Sequence, residues 1–148
     1  NISFLICTFY LYMVYSLNSI FKGGTDVHNN ESAENYLETI LLLSKKLRVV
    51  RSVDIANELG YKKSSISIAM KHLREKNHIT VSPEGYIDLT EAGLAIAEMV
   101  FERHEIITSV LTSLGVPEEI ASEDACRIEH VISQESFEAI KDHVKKYS

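Results

Sequence analysis

The sequence predicts a mostly α-helical protein, in which an N-terminal winged helix-turn-helix domain is followed by an all-α dimerisation domain. Three observations support this prediction. Apolar residues recur at helical spacing in three segments between residues 32 and 77, and a short turn separates the second from the third. Two alternating apolar runs surround Pro83-Glu84-Gly85 and predict a hairpin. Two or three further helices with wide apolar faces occupy the remainder.

The N-terminal segment is unusually apolar. Residues 2–21 carry no charged side chain and are long enough to cross a bilayer, so a membrane anchor, a signal peptide and a non-native segment are the alternatives. We favour the third, because several tyrosines weaken a membrane helix and no basic residue precedes the apolar run. Only a genuine anchor would bring the protein to a membrane. The predicted segments are an apolar leader and linker at 1–30, a winged helix-turn-helix domain at 31–90 and a helical domain at 91–148.

Serine and glycine residues mark the predicted ends of the first three helices. Ser32 and Ser52 are good N-caps for the first and second helices, and Gly60 suits the C-terminal turn of the second. Ser64 or Ser65 can cap the third helix. The sequence therefore predicts three short helices with defined starts.

In a winged helix-turn-helix, the third helix lies in the major groove of DNA with its N-terminal residues nearest the bases. Nine Lys and Arg stand against three Asp and Glu between residues 45 and 76, on a chain of net charge −6. Such a run is often merely solvated, but here it coincides with the motif. The hairpin residues Ser82, Glu84 and Tyr86 are not basic, which predicts weak minor-groove contacts. The residues predicted to contact double-stranded DNA are Arg51, Lys62, Lys63, Ser64, Ser65, Ser67 and Lys71.

The last third of the chain predicts dimerisation. A long helix is capped by Thr90 and ends at Gly115-Val116-Pro117, and two shorter helices follow, the last starting at Ser133 or Ser136. Because one recognition helix alone gives too little affinity, helices of this kind beside a DNA-binding domain favour a homodimer that reads a palindromic operator.

The stretch DACRIEHVIS, residues 124–133, concentrates possible metal ligands. On a helix, Cys126, Glu129 and His130 stand at i, i+3 and i+4 and share one face. A thiolate, a carboxylate and an imidazole together suit a divalent transition metal better than Ca²⁺ or Mg²⁺. Taken singly, a buried cysteine is usually a small core residue and a histidine a hydrogen-bonded surface group. The candidate metal ligands are Asn35, Glu38, His104, Cys126, Glu129 and His130.

The chain contains two cysteines, Cys7 and Cys126, which lie far apart in unlike contexts. A disulfide framework is therefore not expected, and a reducing compartment fits better. The sequence shows no nucleophile motif and no general base placed beside a cleft. We therefore predict neither an enzyme nor a small-molecule substrate.

Five stretches carry a family resemblance: SAENYLETI, SVDIANELG…SSISIAMKHL, GYIDLTEAGLAIA, ERHEIITSVLTSLGV and EDACRIEHVIS. In this order and spacing they resemble the diphtheria-toxin-repressor and manganese-transport-regulator family of metal-dependent transcription factors. The resemblance implies a dimeric, cytoplasmic repressor of metal-uptake genes, with Fe²⁺ or Mn²⁺ as corepressor.

The resemblance also implies metal-ligand positions. Glu129, His130, Cys126 and His104 match ligand positions of both the iron and the manganese branch, whereas Glu38 matches a carboxylate of the manganese branch only. At residue 35, asparagine stands where the iron branch has Met and the manganese branch has Asp, so this chain lacks one charged or soft ligand.

Three other departures concern the iron branch. Thr108 and Ser122 fall at positions of its ancillary ligands, and Ile68 falls where it reads DNA with a glutamine. We predict a metal-dependent (Mn²⁺ or Fe²⁺) DNA-binding repressor that controls metal homeostasis. The alternative is a metal-independent winged-helix regulator that senses a small molecule or oxidation of the Cys126 thiol.

Overall fold

The computed structural model describes the backbone of residues 26–147 and the side chains of residues 31–146. The chain divides into two compact units, 1–31 and 32–148. Residues 1–25, which include the predicted apolar leader, lie outside the described residues. The described elements are α1 Asp26–Lys46, α2 Ser52–Leu59, α3 Lys63–Glu75, β1 Ile79–Val81, β2 Ile87–Leu89, α4 Glu91–Ser113, α5 Glu118–Ile128 and α6 Gln134–Tyr147. Of these helices, none combines the length and the apolar composition that a membrane crossing requires.

Helices α1–α3 and the hairpin form the predicted winged helix-turn-helix. Strand β1 pairs antiparallel with β2, with Ile79 opposite Leu89 and Val81 opposite Ile87. The backbone N–H of Ile87 also donates to the carbonyl of Val50 at 2.8 Å, which ties the hairpin to the loop before α2. The shared core consists of Leu37, Ile40, Leu41, Leu43, Val50, Ile55, Ala56, Ile66, Met70, Leu73, Ile79, Ile87 and Ala97. Because Ala97 belongs to α4, the long helix begins inside this core.

Helix α1 begins earlier than predicted. Its first residue is Asp26, so Ser32 lies inside the helix and the prediction of Ser32 as N-cap was wrong. The predicted linker is also helical from residue 26 onward. Residues 26–31 contain neither glycine nor proline, and an acidic first residue is favourable at the positive end of the helix dipole.

Two further N-caps were predicted at the wrong residue. Arg51, not Ser52, occupies the N-cap of α2, and Lys62 occupies that of α3 in place of Ser64 or Ser65. Both cap residues have extended backbone conformations, with ψ of 161° and 136°. An N-cap needs this backbone conformation whether or not its side chain can accept a hydrogen bond, so both helices start one or more residues early.

Other predicted helix ends are confirmed. Gly60 closes α2 in the left-handed region with φ of 66°. The Thr90 hydroxyl accepts from the Gly93 N–H at 3.1 Å at the start of α4. At the start of α6, the Ser133 hydroxyl accepts from the Ser136 N–H at 3.2 Å, which decides between the two predicted caps in favour of Ser133.

Candidate functional site

Three candidate ligands converge where α5 packs on α4. Small buried side chains, Ala121 and Ala125, allow close approach of the two helices. On α4, His104 Nδ1 lies 2.8 Å from Glu129 Oε2 and 3.6 Å from Cys126 Sγ. One ligand atom from each of these three side chains lies within 4.8 Å of the others. The geometry therefore brings an imidazole, a thiol and a carboxylate to one point.

His130 joins this group from the opposite side of Glu129. Its Nε2 lies 3.3 Å from Glu129 Oε1, and its Nδ1 lies 2.9 Å from Glu34 Oε2 on α1. The prediction that His130 shares a helix with Cys126 was wrong, because α5 ends at Ile128 and residues 129–131 form a turn. The turn connects α5 to α6, and from it the His130 side chain still contacts the Glu129 carboxylate.

Glu38 brings a second carboxylate from α1. Its side chain is buried, and this burial raises the pKa of the Glu38 carboxyl above its ordinary value. The negative charge of Glu129 raises that pKa further, whereas His104 and His130 lower it. Glu38 therefore lies within electrostatic range of the same group.

Burial is the largest cause of the raised pKa values of the acids in this group, Glu38, Cys126 and Glu129. It raises the pKa of Glu129, whose side chain is only 1% exposed, against the opposing effect of its hydrogen bond to His104. It also raises the pKa of the Cys126 thiol, with further increases from the charges of Glu129 and Glu38. Buried acids without a compensating cation disfavour their charged forms. The donor set therefore fits a divalent transition ion, since a cation would stabilise those charged forms.

Three of the six predicted ligands, His104, Cys126 and Glu129, meet at one point. His130 contacts Glu129, and Glu38 interacts electrostatically with Glu129, His104 and His130. Among the described side chains, Asn35 makes no hydrogen bond or ion pair with the other five; its Oδ1 lies 3.5 Å from the Thr39 hydroxyl on its own helix. Cys7 lies outside the described residues, and Cys126 is a free thiol.

Two of the positions that depart from the iron branch, Thr108 and Ser122, lie near His104. The Ser122 hydroxyl is 3.2 Å from His104 Nε2, on the side away from Glu129. The Thr108 hydroxyl is buried without a hydrogen-bond partner among the described residues. Both line an open cleft along α4 and the start of α5.

Sequence reasoning missed two residues of this region. Glu34 could have been found from its i, i−4 relation to Glu38, which places both carboxylates on one face of α1. Arg103 is buried on α4, where it donates to the Glu129 carbonyl at 3.0 Å and to Gln134 Oε1 at 2.7 Å. Its only sequence signal is a charged residue at an apolar position of the α4 pattern.

The predicted DNA-contacting residues all lie on the surface. Arg51 precedes α2, and the other six lie at the start and along one side of α3. The Ser67 hydroxyl donates to the Lys63 carbonyl at 2.9 Å, so in this structure it is engaged with its own helix. Ile68 is 60% exposed in the middle of this surface.

The hairpin contributes a contact that the sequence did not predict. The Arg51 guanidinium stacks over the Tyr86 ring at 4.9 Å, and its Nη2 donates to the Tyr86 hydroxyl at 3.3 Å. The backbone N–H of Arg51 donates to the Asp54 carboxylate at 2.8 Å. Arg51 is therefore held between the start of α2 and the wing.

Comparison with known proteins finds two adjoining family matches. The family model described as iron dependent repressor, N-terminal DNA binding domain, matches residues 29–86. The model described as iron dependent repressor, metal binding and dimerisation domain, matches residues 90–148.

Individual relatives agree with these matches. An uncharacterized HTH-type transcriptional regulator of Methanocaldococcus jannaschii is 33% identical over 120 residues, which cover 80% of this chain and 96% of that protein. The transcriptional regulator MntR of Escherichia coli O157:H7 is 32% identical over 127 residues, covering 86% and 82%. The crystal structure of T. acidophilum IdeR superposes with a TM-score of 0.64 at 25% identity, covering 76% of this chain and 53% of that one.

Proposed function

Because this chain belongs to the iron-dependent repressor family, we propose that it is a metal-dependent, DNA-binding transcriptional repressor that controls metal homeostasis. One observation supports this most directly. Ligand atoms of His104, Cys126 and Glu129 lie within 4.8 Å of one another, next to buried Glu38 on α1. Carboxylates buried together with a thiol and an imidazole do not favour packing, because burial disfavours the charged forms of these acids.

The proposed ligands are Glu38, His104, Cys126, Glu129 and His130. Asn35 is a weaker sixth candidate, because its amide oxygen is neutral and lies against Thr39. Thiolate, imidazole and carboxylate donors together suit a first-row divalent ion, and we propose Mn²⁺ or Fe²⁺ as corepressor. A bound cation would supply the positive charge that the buried carboxylates lack.

The proposed ligands come from two parts of the fold. Glu38 lies on α1, next to core residues of the winged helix, whereas the other four lie on α4, α5 and the turn after α5. Without compensation, the negative charges of Glu38 and Glu129 repel each other and favour separation of these parts. Holding Glu38 beside the other donors would therefore fix the winged helix relative to the C-terminal helices.

We propose that two chains form a homodimer on a palindromic operator in double-stranded DNA. The contacts would come from Arg51 and the exposed face of α3 described above. Two-fold half-sites lie about one turn of DNA apart, roughly 34 Å, so both recognition helices must be held at that spacing. If only a fraction of metal-free dimers has this spacing, the apparent affinity falls by that fraction.

We expect this regulator to act in the cytoplasm and to have no enzymatic activity.

A DNA-binding titration tests the proposal. Operator DNA would first be selected from random duplexes with the full chain and Mn²⁺. Binding to that DNA is then measured by gel shift with Mn²⁺, with Fe²⁺ under anaerobic conditions, with Mg²⁺ as the mismatched control, and with chelator. We expect at least a tenfold gain in affinity with Mn²⁺ or Fe²⁺ only. Equal affinity with chelator and with the transition ions would overturn the metal switch and favour the metal-independent alternative.

A further inference from the structure

Glu34 lies on α1 and faces the turn at residues 129–131, which carries proposed ligands, but Glu34 is not one of the proposed ligands itself. Its Oε2 lies 2.9 Å from His130 Nδ1, and the two side chains are 22% and 6% exposed. The other ring nitrogen of His130, Nε2, lies 3.3 Å from Glu129 Oε1. The two nitrogens therefore face different partners, and only Nε2 faces the proposed metal centre.

The chemistry of this pair fixes which nitrogen can bind a metal. An ionised carboxylate only accepts hydrogen bonds, so Glu34 requires a proton on the His130 Nδ1. A neutral imidazole has one N–H, so with the proton on Nδ1 the lone pair of the ring lies on Nε2. Carboxylates that hold a ligating histidine in this way fix both its tautomer and its ring orientation.

We propose that Glu34 is a positioning residue of the metal centre. Resting on the proposed function, this inference adds that Glu34 presents His130 Nε2 as the donor atom. Because Glu34 lies on α1, its hydrogen bond also joins α1 to the ligand-bearing turn without a cation. Glu34 would thereby hold α1 and the turn at residues 129–131 in place before an ion binds to Glu38 and Glu129.

The test compares full-length Glu34→Ala and Glu34→Gln with wild type and with Glu98→Gln, an exposed carboxylate on α4. Mn²⁺ affinity is measured by competition with a fluorescent chelator. We expect Glu34→Ala to bind Mn²⁺ about 10–100-fold more weakly, the usual loss for such an outer partner. Glu34→Gln keeps an oxygen that can accept from Nδ1–H, so its loss should be smaller. Glu98→Gln should match wild type.

A second measurement separates positioning from a merely structural role. Cadmium NMR on protein loaded with Cd²⁺ reports the bound nitrogen, since a metal on Nε2 couples to both ring C–H protons and a metal on Nδ1 mainly to one. The His130 signals are identified by their loss in His130→Gln. We expect Nε2 binding in wild type and Glu34→Gln, and a mixture or Nδ1 binding in Glu34→Ala.

The possible outcomes are distinct. Wild-type affinity in Glu34→Ala, or weaker binding that still uses Nε2 alone, overturns the role of Glu34 and leaves the proposed function standing. If Glu34→Ala does not fold, a reduced affinity with retained Nε2 binding in Glu34→Gln supports the inference, and wild-type affinity or Nδ1 binding in that variant overturns it. Failure of wild type to bind either ion overturns the proposed function itself, and this inference with it.

Discussion

The Glu129 carboxylate is almost fully buried, and its closest partners are two histidines rather than an arginine or lysine. Arg103 binds the backbone carbonyl of the same residue, not its side chain. Burying a carboxylate without a fixed positive partner costs free energy, which a folded protein tolerates where function requires the group. The same burial that makes the Glu129 carboxylate costly to the fold would therefore make it a favourable partner for a cation.

Replacing Glu129 should separate metal response from folding. Glu129→Gln removes a buried acid but keeps its shape, so the metal-free variant should unfold at the same or a higher temperature than wild type. At Mn²⁺ 100-fold above its dissociation constant, wild type should gain about 2.7 kcal/mol of stability. We expect this gain to vanish in Glu129→Gln and to persist in the surface control Glu98→Gln, as measured by thermal unfolding with and without Mn²⁺. A full gain in Glu129→Gln would show that Glu129 is not a ligand.

On the proposed DNA surface, the residue-scale feature is the contact between Arg51 and Tyr86. Stacking and the hydroxyl contact hold the guanidinium in one direction, which reduces the entropy lost when it meets a phosphate. Arg51→Ala should weaken binding to all sequences and lower the slope of log affinity against log salt by about 1. Tyr86→Phe keeps the ring and should weaken binding less than Tyr86→Ala does. An unchanged slope in Arg51→Ala would exclude a phosphate contact there.

At the scale of elements, the start of α4 is fixed against the turn between α3 and β1 by unusually close backbone packing. A Cβ atom on Gly93 would lie 1.9 Å from the His78 carbonyl oxygen. The Thr90 N–H donates to the same carbonyl at 3.0 Å, and the Thr90 hydroxyl donates to the Asn77 carbonyl at 2.7 Å. Since α4 carries His104, this junction also sets where the metal centre lies relative to the winged helix.

Gly93→Ala should therefore destabilise the fold. Because the obstructing atom belongs to the backbone, α4 must shift, and we expect a loss of about 1–3 kcal/mol, as for overpacked core sites. Denaturant unfolding measures this loss, with the exposed neighbour Ala92→Ser as control. Stability equal to that of the control would mean that α4 can move freely relative to the turn between α3 and β1, against the packing described.

At the scale of the whole molecule, local sequence patterns were enough to predict the helices and the hairpin. The features that could not be predicted depend on backbone conformation or on contacts between distant residues. The helices, the hairpin and the convergence of Cys126 with Glu129 follow from periodicity and short spacing. N-caps at Ser52 and Ser64 failed because a cap requires a backbone conformation that the side chain does not dictate. The partnership of Glu34 with His130 spans 96 positions, and no local pattern records a contact at that range.

Metal binding and stability should depend on pH in opposite directions. Burial raises the pKa of Glu38 and Glu129 in the folded chain, so folding favours their protonated forms. Their contribution to the stability of the metal-free protein is therefore complete below the ordinary carboxyl pKa and is lost as pH rises through the raised values. The raised pKa of Cys126 acts in the same way at alkaline pH. Cation binding requires these groups without their protons, so it should strengthen over the same rise in pH.

The stabilisation by Mn²⁺, measured as the shift in unfolding temperature at fixed Mn²⁺ concentration, should thus grow as pH rises through the raised pKa values of Glu38 and Glu129. Taking the difference between samples with and without Mn²⁺ at each pH cancels the titration of every group outside the site. In Glu129→Gln the shift should be small at all pH values, because a proposed ligand that titrates is gone. A wild-type shift independent of pH would mean that the bound ion does not compete with protons, and the buried acids would then not be its ligands.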